Sequence, residues 1–132
     1  MAATDVQEDR EAIATAVQLY IDGVAKGDAA KLTDAFHEQA RMFGSLGGQR
    51  FDVPISQLVE MATHQPLDSD GSFEARITSV EQDGDIARVR LEEDGCWGAV
   101  SFVDYFTLAK VDGAWKIVDK TFMHTGGELP AP

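Results

Sequence analysis

Asp104 stands in the stretch Phe102-Val103-Asp104-Tyr105-Phe106, where side chains alternate between the two faces of an extended chain. One face carries Val100, Phe102, Asp104, Phe106 and Leu108; the other carries Ala99, Ser101, Val103, Tyr105 and Thr107. Asp104 therefore falls on the more apolar face. An ionised carboxylate in a dry site is costly unless it is paired or hydrogen-bonded. One solution is a partner such as Arg41, Arg76 or a backbone donor. The other is a pocket, in which burial disfavours the charged form of an acid and keeps a proton available. Tyr20 raises the same question. It lies on an apolar stripe with Ile13, Val17, Ile21 and Val24, and a buried hydroxyl needs a partner. A tyrosine and a protonated aspartic acid aimed at one point would form an oxyanion hole. The alternative for Tyr20 is a hydroxyl that reaches the surface or a backbone carbonyl.

The other chemistry-bearing residues give weaker signals. His37, His64 and His124 do not pair at ligand spacing, and Cys96 stands alone, so no metal site is expected. His37 and His64 each close a helix in this reading, where the dipole favours a cation. His124 ends the last strand, at a pocket mouth or in solvent. Cys96 has no basic activator beside it and reads as a small strand residue. Gly44-Ser45-Leu46 is not a nucleophile elbow, and Gly47-Gly48 is a turn, with no G-x-x-x-x-G-K-[ST] anywhere. Trp97 and Trp115 suit packing, or the stacking of a flat ligand.

The elements that must position these residues follow from period and punctuation. Thr4 and Gln7 form a candidate capping box. Helical spacing predicts helices near 5–26 and 28–37, broken at Gly27, with Asp28 as a cap. Arg41 to Phe51 reads as two short extended pieces. Asp52 and Pro54 open a third helix with Ile55, Leu58, Val59 and Ala62 on its stripe, stopped by Pro66. From Ser72 the period becomes two. Turns at Asp83-Gly84-Asp85, Asp94-Gly95 and Asp112-Gly113 make the last strands an antiparallel meander. Helices first and a long sheet last define an α+β domain. The expectation is one domain over 1–132, ordered over about 6–124, with a mobile tail at 126–132.

Composition removes several function classes. The chain has 132 residues, enough to bury a core without staples. Eleven Lys and Arg against 23 Asp and Glu give a net charge of −12. Such a surface repels phosphate backbones and anionic membranes, so no nucleic-acid or membrane partner is expected. One cysteine excludes an intramolecular disulfide. With neither a signal-peptide pattern nor a spanning apolar run, the expected location is cytoplasmic.

From Val6 to His124 the chain resembles the nuclear transport factor 2-like (NTF2-like, SnoaL-like) superfamily, and within it the small bacterial lumazine-binding-like group. The segments "AKGDAAKLTDAFHEQA" and "FVDYFTLAKVDGAWKIVDKTF" carry the resemblance. It implies three helices packed on a curved antiparallel sheet, a cone with an internal pocket, and a homodimer built on the outer sheet face. The superfamily includes isomerases, dehydratases, cyclases, epoxide hydrolases and non-enzymatic carriers, so fold does not settle function. By comparison with ketosteroid isomerase, "VQLY" places Tyr20, and "VDYF" places Asp104, at its oxyanion-hole positions. The segment matching its general base reads "RMFGSLGG" and has no carboxylate near Gly44. His37, His64 and Asp119 are then base candidates by type alone. The implied catalytic set is Asp104, Tyr20 and His37. The implied ligand-contacting set is Phe43, Met61, His64, Trp97, Phe102 and His124. No cofactor is expected. The functional expectations are a cofactor-independent isomerase, cyclase or lyase on a small apolar, oxygen-bearing molecule; a non-catalytic binder of a heteroaromatic ligand; or a structural dimer with a filled cone.

Overall fold

The computed structural model describes residues 3–129, with side chains from residue 6. Helix α1 (Ala3–Lys26) breaks at Gly27, and α2 (Ala29–Ala35) follows with Asp28 as its cap: the Asp28 carboxylate accepts from the Lys31 amide at 3.2 Å. The strands are β1 (Phe36–Leu46), β2 (Gln49–Pro54), β3 (Glu74–Asp83), β4 (Ile86–Cys96), β5 (Val100–Val111) and β6 (Ala114–Gly126), with α3 (Ile55–His64) between β2 and β3. One six-stranded sheet runs β2-β1-β6-β5-β4-β3. Its neighbours are antiparallel except β1 and β6, which pair in parallel. No helix among the described residues is long and apolar enough to cross a membrane.

Three local expectations are corrected. The second helix stops at Ala35, so His37 lies in strand β1 and not at a helix end; its Nδ1 accepts from the Gln39 amide at 3.0 Å. The two short pieces over 41–51 are a continuous hairpin, 36–46 and 49–54, turning at Gly47-Gly48. Pro54 occupies the cap position of α3 without a side-chain hydrogen bond. The Thr4 side chain of the candidate capping box lies outside the described residues.

Register shifts mark irregularities in β3–β4, β4–β5, β5–β6 and β1–β6. Such bulges bend strands and increase twist. The sheet curves around α1, whose stripe of Ile13, Ala16, Val17, Tyr20 and Val24 is buried against Val89, Leu91, Phe106, Leu108 and Ile117. The Tyr20 ring meets Phe106 edge-on at 4.9 Å and Phe36 at 5.9 Å. That packing fixes where its hydroxyl points.

The start of α1 is anchored by Asp9, which is 5% exposed. Its carboxylate accepts from Trp115 Nε1 at 3.0 Å, Gln82 Nε2 at 3.1 Å and Lys110 Nζ at 3.2 Å. Eleven residues further on, about 16 Å along the axis, the helix presents Tyr20. The Trp115 hydrogen bond, aided by Lys110 and Gln82, holds Asp9 below the ordinary carboxylate value of 3.8 despite burial. The folded chain therefore binds this proton less tightly than the unfolded chain. The stability it lends is present above pH 3.8 and is lost as pH falls through the lower folded value. Asp9→Asn is expected to unfold at lower urea than wild type at neutral pH, with the gap closing below about pH 3.8. A gap of constant size across that range would contradict the role of the charge.

Candidate functional site

Four polar side chains converge inside the sheet, each from a different element: Tyr20 from α1, Glu93 from β4, Asp104 from β5 and Lys120 from β6. Alternation carries Glu93 inward in phase with Ala87, Val89 and Leu91, all buried. Leu91 pairs with Asp104 and Glu93 with Phe102, so the two carboxyl groups are diagonal neighbours on one face. Lys120 arrives differently. The β5–β6 register slips at Val118, since Asp119 faces Thr107 while Ile117 faces Leu108. This bulge turns Lys120 and Phe122 inward and leaves Asp119 exposed.

The Tyr20 hydroxyl lies 3.2 Å from Glu93 Oε2 and 3.2 Å from Asp104 Oδ2. Asp104 is completely buried, and its Oδ1 has no hydrogen-bond partner among the described residues. Lys120 Nζ faces that oxygen at 3.9 Å, an ion pair too long for a hydrogen bond. The ammonium otherwise meets the Met42 sulfur at 3.8 Å and the rings of Phe122 at 4.8 Å and Tyr20 at 5.5 Å. Burial, reinforced by the charge of Asp104 and a hydrogen bond with it, raises the Glu93 carboxyl well above its ordinary range and favours its protonated form. Burial and the two neighbouring carboxyl groups likewise raise the Tyr20 phenol. Burial is the first cause of the raised Cys96 thiol, which is no nucleophile in this setting.

Tyr20, Glu93 and Lys120 line a cavity of about 60 Å³ whose other walls are apolar, among them Val24, Leu58, Phe102 and Phe122. Aromatic edges run from Trp97 to Phe102 at 6.2 Å, on to Phe122 at 5.9 Å, and from Phe122 to Phe51 at 6.3 Å. Trp97 has φ 52°, unusual for a bulky residue, and two hydrogen bonds hold it there: its amide donates to Leu67 O at 2.8 Å and its indole to Gln65 O at 3.1 Å. An open groove beside His64 shares Met61 and Gln65 with the cavity.

Among the residues singled out from sequence, the structure brings Tyr20 and Asp104 to one point, and Met61, Trp97 and Phe102 line the cavity. It places His64 at the open groove, outside the cavity. His37 is not among the lining residues. Phe43 is 45% exposed and lies on the outer face, opposite buried Met42. His124 packs on Phe102 at 5.8 Å, and its Nε2–H points at the carbonyls of Gly126 and Gly127, at 2.9 and 2.7 Å. The partners expected for Asp104 are engaged elsewhere: Arg41 with Asp52 at 3.1 Å, Arg76 with Glu92 at 3.0 Å and Asp94 at 2.8 Å. Glu93 and Lys120 were missed by sequence reasoning. The inward phase of Val89 and Leu91 could have found Glu93; no local signal marks the bulge that exposes Lys120 to the cavity. Gly44 explains the carboxylate missing from its strand. A Cβ there would meet Phe122 O at 2.4 Å and the Phe122 ring at 2.6 Å, so this position must be bare for Phe122 to lie across it. Among the described residues no group of three or more His, Cys, Asp or Glu side chains is arranged to hold a metal ion.

A sheet wrapped round helices, with a polar cluster in an apolar cavity, defines an NTF2-like pocket protein. The family model described as "Putative lumazine-binding" matches residues 8–123, and the chain belongs to that family. Its structure is similar to NTF2-like proteins of unknown function from Silicibacter pomeroyi DSS-3 (26% identity, TM-score 0.82, 91% of this chain and 98% of that one) and Methylobacillus flagellatus KT (28%, 0.81, 95% of each). Its sequence is 22% identical over 122 residues to a Cladobotryum protein named aldolase FrzH, covering 92% of this chain and 96% of that one.

The raised Glu93 carboxyl has a stability consequence. Its proton stays in the folded chain and leaves the unfolded chain above the ordinary value of 4.5. The folded state is thus disfavoured progressively as pH rises from 4.5 toward the folded value. Glu93→Gln, a neutral replacement, is expected to raise the urea midpoint of unfolding at pH 7. The gain should vanish below about pH 4.5. Urea titrations at the two pH values check it; equal effects at both would refute a protonated Glu93.

Proposed function

We propose that this protein is a cofactor-independent lyase or isomerase that moves protons next to the carbonyl of a small molecule, with Tyr20, Glu93, Asp104 and Lys120 as its working groups. The observation that carries this is the pairing of a cavity-lining carboxyl group, Glu93, raised by burial, with a second buried carboxyl group, Asp104, which shares the Tyr20 hydroxyl with it and whose Oδ1 has no hydrogen-bond partner among the described residues. Of two neighbouring carboxyl groups, the one raised by burial suits the role of acid and leaves the other to act as base. Tyr20 and Glu93 donate hydrogen bonds to the carbonyl oxygen as negative charge develops on it. Asp104 accepts the proton, from the α-carbon in an isomerisation or from a β-hydroxyl in an aldol cleavage. The second carboxyl group, absent near Gly44, is supplied by Glu93.

The relative named aldolase supports the choice of carbonyl chemistry. Hydrogen–deuterium exchange at the α-carbon of small ketones and β-hydroxy ketones, followed by NMR in D2O, tests the proposal. Wild type is expected to accelerate exchange, and Asp104→Asn to slow it by about 10²-fold or more with the fold retained. No acceleration over buffer by wild type, with a ligand retained in native mass spectrometry, would make the protein a carrier instead.

The proposed partner on the outer face is a second copy of the chain. Phe43 (45% exposed), Tyr105 (49%) and Met123 (67%) crowd one region there, since Phe43 and Tyr105 both pair with Thr121 and Met123 pairs with Ser45 and Val103. Light scattering is expected to give the dimer mass for wild type and the monomer mass for Met123→Glu combined with Tyr105→Glu; a wild-type monomer would refute it.

A further inference from the structure

We infer that Lys120 is a covalent nucleophile whose Nζ forms an imine with the carbonyl carbon of a short aldehyde or ketone in the cavity. The inference rests on the carbonyl chemistry proposed above and names its electrophilic route. Lys120 is set apart from the other lysines of the chain. Lys26 and Lys31 are exposed on surface ion pairs, Lys110 bonds Asp9, and Lys116 donates to Asp34 O at 2.7 Å. Lys120 is 6% exposed and lines the cavity. Its nitrogen has no oxygen acceptor within hydrogen-bond distance among the described residues.

A lysine present only to offset a buried carboxylate should close on it to about 2.7–2.9 Å. Here the gap is 3.9 Å, and the oxygen across it has no hydrogen-bond partner. Both groups thus keep unused capacity directed at the same space. An amine desolvated in an apolar pocket is a recognised way of activating lysine, and the Phe122 ring, the Tyr20 ring and the Met42 sulfur supply that surrounding.

The steps balance without an external cofactor. Lys120 gives one proton to Asp104 Oδ1, leaving a neutral amine and a neutral acid. The amine lone pair attacks the carbonyl carbon, and the carbonyl oxygen takes a proton from Glu93. The adduct's nitrogen, now cationic, returns one proton to the Glu93 carboxylate, which restores its lone pair and gives the neutral carbinolamine. The hydroxyl then leaves as water with the proton from Asp104 as that lone pair forms the C=N bond, and the nitrogen keeps its remaining proton as the iminium. For a β-hydroxy carbonyl compound the iminium draws electrons from the bond between the α and β carbons. That bond breaks, a carboxylate takes the hydroxyl proton, and an aldehyde leaves. The enamine is protonated at carbon, and water releases the second product and the lysine.

The test uses the full chain with acetaldehyde and hydroxyacetone as probes and cyanoborohydride as the trap. Wild type is expected to gain one reduced adduct per chain, mapped by peptide mass to Lys120. Lys120→Arg, which keeps the charge but forms no stable imine, is expected to lose that adduct by at least about tenfold. A second measurement does not depend on trapping or on the variant's fold: wild type should speed the loss of carbonyl ¹⁸O from labelled hydroxyacetone to water, because imine formation expels that oxygen. Adducts spread over surface lysines, or no adduct and no ¹⁸O loss while α-proton exchange persists, would overturn Lys120 as nucleophile and leave the enolate route standing. Absence of exchange as well would overturn both.

Discussion

Two carboxyl groups, a phenol and an ammonium share one dry space, and most of the architecture answers to the need to keep that arrangement electrically neutral. Two unit charges about 4 Å apart attract by about 4 kcal/mol at an effective dielectric of about 20. Desolvation costs several kcal/mol for each ion. The Lys120–Asp104 pair at 3.9 Å therefore gains little net stability, and burial together with the Asp104 charge raises the Glu93 carboxyl beside it. A core made for stability alone would fill these positions with the leucines and valines found on the same strands. The cluster is a cost borne by the surrounding fold: the Asp9 anchor, the Tyr20–Phe106 contact and the apolar face of the sheet.

The walls extend this logic. Charges inside a low-dielectric enclosure act more strongly than they would in water, and the aromatic run from Trp97 through Phe102 and Phe122 to Phe51 supplies that enclosure. Trp97 accepts an uncommon backbone conformation, held by bonds to Leu67 and Gln65, the segment that follows α3. The same segment bonds back to α1 through Leu67 and Asp68 amides. One stretch without regular structure thus ties helix α1, which carries Tyr20, to the wall that closes over it.

Much of this was legible in the sequence, and the limits are physical. Asp104 was found because strict alternation over β5 leaves one polar residue on an apolar face. Tyr20 was found because the stripe of α1 is uninterrupted. Glu93 sits in the same kind of register on β4, but acidic neighbours Glu92 and Asp94 mask it; only the three-dimensional face separates one buried acid from two half-buried ones. Lys120 was illegible because a bulge at Val118 reverses the parity that Trp115 and Ile117 establish. Simple alternation would have turned Asp119 inward, the opposite of what occurs. His37 was placed on a helix because Ala35 and Phe36 continue the helical spacing, yet the long-range pairing of Phe36 with Ile117 draws that segment into the sheet. Parallel pairing of β1 with β6 joins chain segments about 80 residues apart, beyond the reach of any local pattern.

The position of the second carboxyl group decides what chemistry the pocket can support. A base on the strand containing Gly44 would approach from the β1 side of the sheet. That route is closed, because Phe122 occupies the space above Gly44. The second acid comes instead from β4, diagonal to Asp104, and shares the Tyr20 hydroxyl with it. Glu93, Lys120 and the Tyr20 hydroxyl line the cavity, Asp104 stands behind them in contact with Tyr20, and the rest of the wall is mostly apolar. A substrate held there meets all its polar partners at a single functional group, and its remainder is selected by shape alone. This favours reactions completed within one carbonyl and its adjacent carbons over proton transfers between distant atoms of a large ring system.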